Sequence, residues 1–205
     1  VRWHARGDYF ATVCPDTSGE AVLIHQISKQ RSQAPFRRTR KAGTSAMAVQ
    51  CVCFHPTRPW LFVATQRYVR IYDLVQQALV KTLQPGVRWI SSLDVHPSGD
   101  HVILGSYDRR VQWFDLDLAE RPYKTLRYHT RAVRAVAFHP HLPLFASAAD
   151  DGTVHVYHAT VYSDLLQNAL LVPLKILRGH AVQQALGVLS LAWHPTLPWL
   201  SLIHI

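Results

Sequence analysis

Cysteine, acidic residues and long apolar runs are scarce in this sequence of 205 residues. Its three cysteines, Cys14, Cys51 and Cys53, have neither the CxxC spacing of a zinc clamp nor the even number of a disulfide framework, which favours a reducing compartment. The longest apolar runs, such as residues 61–64, are far too short to cross a bilayer, and no signal peptide opens the chain. We therefore expect a globular protein that does not enter a membrane.

Residues arranged for catalysis or metal binding are also missing. The chain has 13 histidines, and histidine is a frequent metal ligand, but no Cys/His spacing predicts a zinc site. Paired carboxylates and a nucleophile elbow do not appear either. We expect no cofactor, no bound metal and no enzymatic activity, so a hydrolase or metalloenzyme is the least favoured class.

Positive charge is what the sequence has in excess, and most of it lies in one segment. The net charge is +9, from 22 basic and 13 acidic residues. Residues 29–41, KQRSQAPFRRTRK, contain six basic residues and no acid. This distribution indicates a local basic patch and not a general coating of charge. The candidate contact residues in this segment are Lys29, Arg31, Phe36, Arg37, Arg38, Arg40 and Lys41.

A phrase centred on His-Pro recurs along the chain. It reads CFHPTRPW at 53–60, DVHPSGD at 94–100, AFHPHLP at 137–143 and AWHPTLPW at 192–199, with a degenerate copy, RWHARGDYF, at 2–10. Successive His-Pro pairs are separated by 41, 43 and 55 residues. Because proline has no amide hydrogen to give to a strand ladder, each pair is expected to mark the end of a strand. Histidines spread over separate repeats are too far apart to share a metal ion.

Each repeat also contains further strands. An apolar run follows the His-Pro turn, and a strand in which apolar and polar residues alternate comes next. The short string KTL, KTL or KIL then follows. DDGT at 150–153 is predicted as a hairpin turn in which Gly152 takes a positive φ. Residues 162–171 are the one helix candidate, an insertion between outer strands. Four strands in about 40–45 residues are typical of a β-propeller blade, and the predicted units are 1–40, 49–84, 90–127, 132–178 and a truncated 188–205.

One unit contains polar residues at positions typical of WD repeats. His129, Ser147, Asp151 and Tyr157 fall where these repeats have a hydrogen-bond network, which stabilises a blade only if it is fully satisfied. The same residue types occur in hydrolases, but a catalytic serine must be exposed beside an oxyanion hole. Ser147 lies inside the apolar strand LFASA, so the structural interpretation is favoured.

The other units depart from this pattern. Gln66 replaces the turn aspartate in the second unit, and the third unit keeps Asp108 but has Leu104 at the serine position. A structural network can be lost from one blade at a time, whereas a catalytic site cannot lose its nucleophile. These departures therefore also favour a structural role.

Two interpretations of the basic segment stay open. It follows residues 21–27, the third strand of the first unit, so residues 34–38 are predicted as the outer fourth strand. Basic side chains on an outer strand can serve only to prevent edge-to-edge pairing. Their number exceeds that need, and an aromatic ring among them can stack on a base, which favours contact with RNA phosphate or an acidic partner surface.

Longer strings resemble one family. VLIHQISKQRSQAPFRR, GSYDRRVQWFDLDL and VYSDLLQNALLVPLKILRGH are similar to the C-terminal WD-repeat domain of the eukaryotic block-of-proliferation (Erb-type) ribosome biogenesis proteins, and the resemblance runs from residue 1 to about residue 199. It implies an all-β fold, an incomplete WD-repeat β-propeller with about four blades and the start of a fifth, out of the family's seven. Residues 31–38 and 161–171 match segments typical of the family and are candidate contact surfaces.

The resemblance also implies a function. The implied function is that of a non-enzymatic scaffold for large-subunit rRNA processing and pre-60S maturation. The implied location is the nucleus, in the nucleolus and the nucleoplasm. The implied partners are a pescadillo-type protein and a second WD-repeat protein in a trimeric complex, together with pre-60S particles and rRNA. The alternative function is a propeller that acts mainly as an RNA-binding module.

The two ends of the sequence add an expectation about stability. Residue 1 is valine and not methionine, so we expect part of a longer protein. The family continues beyond Trp199 into a strand and an Asp-Gly turn, whereas SLIHI ends this chain, so the fifth unit is predicted as one strand and its turn. An open arc of blades has unpaired edge strands, and we expect residues 1–205 alone to be marginally stable or prone to aggregation.

Overall fold

The computed structural model describes residues 1–14, 21–35, 49–162 and 169–204. These residues form 18 β-strands in five antiparallel sheets. The first sheet contains β1 (Arg2–Trp3), β2 (Tyr9–Val13), β3 (Val22–Gln26) and β4 (Arg31–Gln33). The second contains β5 (Val49–Phe54), β6 (Trp60–Thr65), β7 (Val69–Asp73) and β8 (Ala78–Leu83).

The remaining sheets follow in chain order. The third contains β9 (Ile90–Val95), β10 (His101–Ser106), β11 (Val111–Asp115) and β12 (Lys124–Leu126). The fourth contains β13 (Val133–Phe138), β14 (Leu144–Ala149), β15 (Val154–Thr160) and β16 (Leu170–Leu177). The fifth has two strands, β17 (Val188–Trp193) and β18 (Leu200–His204). No helix of the kind that could span a bilayer occurs in the described parts of the chain.

The hydrophobic core lies between the sheets and not inside a single barrel. One cluster joins the second and third sheets through side chains such as Phe62, Leu93 and Phe114, and another joins the third and fourth through Trp113 and Phe145. Burial of each such side chain contributes about 1.5–3 kcal/mol. Sheets of four meandering strands packed face to face are the blades of a β-propeller, so the all-β, incomplete propeller is confirmed. The sheets of the described residues do not close into a ring.

The predicted hairpin turn in the fourth sheet is confirmed. Gly152 has φ +73° between β14 and β15, and its amide donates to the Ala149 carbonyl at 3.2 Å. This φ lies in the left-handed region, which glycine adopts without a steric penalty. The limits of the repeat units stay a prediction.

The predicted outer strand of the first sheet is wrong. The strand is β4, which ends at Gln33, so Ala34 and Pro35 are not part of it. Proline has no amide to donate, so the ladder from β3 to β4 stops before it. Residues 36–38, the rest of the predicted strand, lie outside the described residues.

The helix candidate at 162–171 is wrong at its C-terminal end. Leu170 and Leu171 begin strand β16, where they pair with Thr160 and Ala159 of β15. Leu171 is buried in the core between the third and fourth sheets. Burial and cross-strand pairing thus override the helical preference of leucine. The predicted place of the insertion, between the two outer strands, is confirmed, and residues 163–168 lie outside the described part.

The fifth sheet has one strand more than expected. Residues 200–204 of the SLIHI ending form β18, which pairs with β17 from Leu200↔Trp193 to His204↔Val188. Val188 and Leu191 of β17 pack on the fourth sheet. The prediction of a single strand and its turn was therefore one strand short.

Candidate interaction surfaces

The predicted basic segment is described only at its start. Lys29 lies in the turn between β3 and β4, and Arg31 is the first residue of β4; both are exposed. Asp8 holds this turn, since its carboxylate accepts the Ser28 amide at 2.9 Å. The other predicted contact residues lie outside the described residues: Phe36, Arg37, Arg38, Arg40 and Lys41.

The predicted polar set in the fourth sheet is brought together around a buried histidine. Nδ1 of His129 is 3.1 Å from Oδ2 of Asp151, and Nε2 is 2.8 Å from Oγ of Ser147. A carboxylate only accepts, so Nδ1 carries the hydrogen and Nε2 accepts from the serine hydroxyl. Asp151 also accepts the Thr130 amide at 2.9 Å and the Thr153 hydroxyl at 2.6 Å. The network links the loop before β13 to the β14–β15 hairpin.

Electrostatics hold this network in one protonation state. Burial lowers the pKa of His129 in spite of the neighbouring Asp151 carboxylate, so the ring is neutral. Burial alone would raise the pKa of Asp151, but hydrogen bonds from Thr153 and Thr130, with His129, outweigh it and lower the pKa to about 2. A neutral imidazole beside a charged, hydrogen-bonded carboxylate is stable over the whole neutral range.

Tyr157 lies next to this network and contacts a different histidine. Its ring is stacked on Phe145 with centroids 4.5 Å apart, and its hydroxyl is 3.3 Å from Nδ1 of His155. Burial raises the pKa of Tyr157 to about 12. Ser147 beside it is fully buried. Because a substrate cannot reach this serine, the arrangement cross-links a blade and does not act as a nucleophile.

Two cysteines, Cys51 and Cys53, lie on the innermost strand β5 beside the Arg2–Asp94 pair. Nη1 of Arg2 on the first sheet is 3.9 Å from Oδ1 of Asp94 on the third, and Sγ of Cys53 is 3.9 Å from the same oxygen. Burial raises the pKa of both thiols to about 12, which keeps them protonated and unreactive. No group of three or more metal-ligating side chains occurs within the described ranges.

A surface that the sequence analysis missed lies where hairpin turns meet the loops between blades. Backbone hydrogen bonds join these segments: the Ile90 amide donates to Gln66, the Tyr107 amide to Trp89 and the Asp150 amide to Ala132, at 2.8–3.0 Å. Arginine and aromatic side chains alternate there, and all of them are exposed except the partly buried Arg134. We call this the arginine–aromatic surface, and its members are Arg67, Tyr68, Arg88, Trp89, Tyr107, Arg109, Arg127, Tyr128, Arg131 and Arg134.

The centre of the arginine–aromatic surface is ordered by its own contacts. Trp89 and Tyr107 meet edge to face at 5.8 Å, and the Arg134 guanidinium lies over the Tyr107 ring at 4.8 Å. Nε of Arg134 donates to Asp150 at 2.7 Å. Asp108, a second acid nearby, accepts the Arg88 amide at 2.6 Å. Asp150 is thus paired with a guanidinium and Asp108 is held by a backbone amide, while the exposed arginines outnumber these two acids.

A sequence signal for this surface does exist. Arg67-Tyr68, Arg88-Trp89 and Arg127-Tyr128 are adjacent arginine–aromatic pairs, and each lies in a turn or loop at the same end of the sheets. The charge count did not reveal them, because they are spread over 62 residues while residues 29–41 hold their charge in one run. Only the fold brings them together.

The chain matches the WD domain, G-beta repeat model at residues 36–73, 77–115 and 120–158, which together exceed half of its length. It is 89% identical over 200 residues, 98% of the chain, to ribosome biogenesis protein ERB1 of Malassezia globosa. It is 62% identical over 98% of the chain to erb1 of Schizosaccharomyces pombe and 58% identical over 97% to BOP1 of Rattus norvegicus.

The matched region is a fraction of each relative. The chain spans 23% of the Malassezia protein and 26% of the Schizosaccharomyces and rat proteins, about a quarter of their length. The similarity thus reaches almost every residue here and leaves most of each relative unmatched. With three matched repeats and four-stranded sheets, this chain belongs to the WD domain, G-beta repeat family, and within it is homologous to part of the ERB1/BOP1 ribosome biogenesis proteins.

Proposed function

We propose that this chain is the propeller part of a non-enzymatic scaffold in ribosome biogenesis. The observation that carries the proposal is 89% identity, over 98% of the chain, to a ribosome biogenesis protein, together with 58% identity to a mammalian one. The scaffold supports large-subunit rRNA processing and pre-60S maturation in the nucleolus and nucleoplasm. Its partners are a pescadillo-type protein and a second WD-repeat protein in a trimeric complex.

The chemistry of the described residues supports a scaffold. The constellation of catalytic residue types around Ser147 is buried, and the thiols of Cys51 and Cys53 are held protonated. Contacts with other macromolecules then supply the function. For protein contacts we propose the basic residues from Lys29 to Lys41, with the insertion at 161–171.

A chimera tests this proposal. The matching quarter of Saccharomyces cerevisiae ERB1, 58% identical to this chain over 200 residues, is replaced by it in cells depleted of the endogenous protein. We expect normal ratios of large to small subunits on sucrose gradients. Accumulated large-subunit rRNA precursors, with the chimera stably expressed and still bound to its partners, would contradict the proposed role.

A charge-reversal set then tests the basic segment. Changing Arg37, Arg38 and Arg40 to Glu in the chimera is expected to reduce co-purification of a protein partner at least tenfold, because three favourable charge contacts become repulsive. The matched control reverses three exposed basic residues on or beside the outer strands β12 and β16, namely Arg121, Lys124 and Lys175. Equal loss in both variants would show a general effect of charge and would refute a specific surface.

A second candidate function is RNA binding, and the arginine–aromatic surface favours it. Single-stranded nucleic acids bind where positive charge follows the phosphates and aromatic rings stack on bases. Affinity for a single-stranded RNA falls with salt by about 0.7 in log–log slope for each phosphate neutralised. Changing Arg88, Arg109 and Arg131 to Glu is expected to flatten the slope by about 2. An unchanged slope, in the presence of measurable binding, would exclude this surface as the RNA site.

A further inference from the structure

The histidines of the recurrent His-Pro turns make one contact in all five sheets. Each ring accepts, at Nδ1, the backbone amide two residues further along the chain. The distances are 3.2 Å from His4 to Arg6, 3.1 Å from His55 to Thr57, 3.1 Å from His96 to Ser98, 3.1 Å from His139 to His141 and 3.2 Å from His194 to Thr196. The side chain thus closes the turn, as asparagine does in an Asx-turn.

Three of these turns use a second amide. His55 also accepts from Arg58 at 2.9 Å, His139 from Leu142 at 2.9 Å and His194 from Leu197 at 3.0 Å. A nitrogen that accepts from backbone amides carries no hydrogen, so this contact requires the tautomer with the hydrogen on Nε2. Protonation at Nδ1 would place a hydrogen and a positive charge against the amide donors.

The other side of four of these rings contacts the next sheet, whereas His194, in the last described sheet, packs on Trp199 of its own sheet. Nε2 of His139 donates to the Leu197 carbonyl, 3.1 Å away in the turn of the fifth sheet. Nε2 of His55 is buried against Gly99, the equivalent turn residue of the third sheet, and has no hydrogen-bond partner in the described part of the chain. His4 and His96 pack edge to face on Phe54 and Phe138 of the sheets that follow them.

We propose that the His-Pro turns form an acid-releasable lock between successive blades. The neutral imidazoles of His4, His55 and His96 each close their own turn through Nδ1 and contact the next blade with the opposite edge of the ring. Protonation of one ring removes the Nδ1 acceptor, opens that turn and weakens the contact with the next sheet. The lock lies in the turns after β1, β5 and β9, remote from the arginine–aromatic surface, and goes beyond the proposed scaffold function.

Charged side chains lie close to two of these rings. His55 is packed between Trp60 and Phe62 of its own sheet, with Arg58 and Asp100 as its charged neighbours. These two form an ion pair at 3.4 Å. Burial lowers the pKa of His55, helped by Arg58 and opposed by Asp100.

His96 has a similar setting. It meets His101 and Trp113 of its own sheet and Phe138 of the next, with His101 and Asp100 as titratable neighbours. Burial lowers its pKa from 6.5 to about 4, helped by His101 and opposed by Asp100. The unfolded chain therefore binds protons first as the pH falls, so the stabilisation from such a ring is complete above pH 6.5 and lost progressively toward pH 4.

Asparagine and glutamine variants of His55 test the lock. Asn places an amide oxygen where Nδ1 lies and closes the turn without titrating, whereas Gln places its polar atoms near Nε2 and leaves the turn amides without their acceptor. The unfolding equilibrium constant of the protein is measured between pH 7.5 and 5.0. When a histidine stays neutral in the folded protein and is protonated in the unfolded chain, lowering the pH over that range raises the unfolding constant by up to about thirtyfold. His55→Asn is expected to remove the part of the increase that comes from His55.

The controls separate the turn from a general histidine effect. His141→Asn changes an exposed histidine in the turn of the fourth sheet and is expected to keep the native pH dependence. His55→Gln is expected to unfold more readily at every pH. ¹⁵N NMR of the native protein gives a readout that needs no variant: Nδ1 of His55 should be unprotonated at pH 7. A protonated Nδ1, or a native pH dependence in His55→Asn, would overturn the proposal.

Discussion

The third and fourth sheets have the same strand order but different means of holding their inner hairpins. In the fourth, His129 bridges Ser147 and Asp151. In the third, Val87 and Leu104 take the places of the histidine and the serine and lie in one apolar cluster. Asp108 still caps its loop through the Arg88 amide, as Asp151 does through Thr130. These two blades therefore share the aspartate cap and a filled interior, but the interior can be polar or apolar.

The difference shows why intermediate combinations should be unstable. A buried hydrogen bond contributes only about 0.5–1.5 kcal/mol net, whereas a buried group left without its partner costs about 1–3 kcal/mol. Replacing the whole set by packed apolar side chains is therefore nearly neutral, while changing one member is not. The two sheets represent the two self-consistent solutions, and substitutions that mix them should be destabilising.

The largest effect is expected for Leu104→Ser, which puts the serine of the fourth sheet into the third. Leu104 is buried in the core between the second and third sheets. The change removes a large apolar side chain, which costs about 2–5 kcal/mol, and buries a hydroxyl that Val87 cannot pair with. We expect the free energy of unfolding, measured by urea denaturation, to fall by about 4 kcal/mol.

Two companion variants sharpen this result. Leu104→Met keeps the volume and is expected to cost less than about 1.5 kcal/mol. Adding Val87→His to Leu104→Ser supplies the missing acceptor beside Asp108 and should recover part of the loss. If the double variant were no more stable than Leu104→Ser alone, the polar network would not be transferable between the sheets.

The reverse exchange in the fourth sheet should have a smaller effect. His129→Val leaves the Ser147 hydroxyl without a partner and takes one donor from Asp151, which keeps the Thr130 and Thr153 contacts. We expect a loss of about 2–3 kcal/mol in the free energy of unfolding. Because both apolar residues together restore the solution of the third sheet, His129→Val with Ser147→Leu should be more stable than the single variant.

A double-mutant cycle decides this point. The coupling energy between positions 129 and 147 is expected to be about 1–2 kcal/mol, within the range for residues in one network. Strict additivity of the two substitutions would mean that the two positions do not act as a unit. The third and fourth sheets would then differ in sequence at these positions without differing in how they are stabilised.

Most of the fold could be predicted from the sequence because its signals are local and repeated. The His-Pro turns and the apolar runs recur at fixed places in the units, and the glycine of DDGT marks one hairpin turn. These signals together predict the order of the strands within a unit. The outer strand of the first sheet could not be placed, because a short ladder next to Pro35 is decided by which amides remain available. Leu170 and Leu171 were misread because leucine favours a helix until a partner strand is known.

The interaction surfaces were harder to predict than the strands. A run of charge such as 29–41 is visible in one window, whereas Trp89, Tyr107 and Arg134 approach one another only when a loop, a hairpin and a strand from two sheets meet. The role of the His-Pro histidines was missed for a different reason. The proline explained the turn, and only the distances to the following amides show that the ring nitrogen closes it.

The smallest effects are expected at the hairpin turns, where the position with a positive φ is glycine in the fourth sheet and arginine in the third. Gly152 at φ +73° and Arg109 at φ 65° occupy equivalent positions, and each amide donates at 3.2 Å to the carbonyl three residues before it. Gly152 also lies against the next loop: a Cβ there would be 2.6 Å from the His180 carbonyl oxygen. Gly152→Ala therefore adds both backbone strain and a clash, and we expect a loss of about 2 kcal/mol.

Arg109→Gly is the matched change in the third sheet. Glycine relieves about 1 kcal/mol of left-handed strain, but its greater freedom in the unfolded chain offsets about 0.5–1 kcal/mol of that gain. We expect the free energy of unfolding to change by less than about 0.5 kcal/mol, measured under the same denaturing conditions as Gly152→Ala. A loss as large as that of Gly152→Ala would show that the Arg109 side chain itself stabilises the turn, and the two hairpins would then differ in more than the backbone.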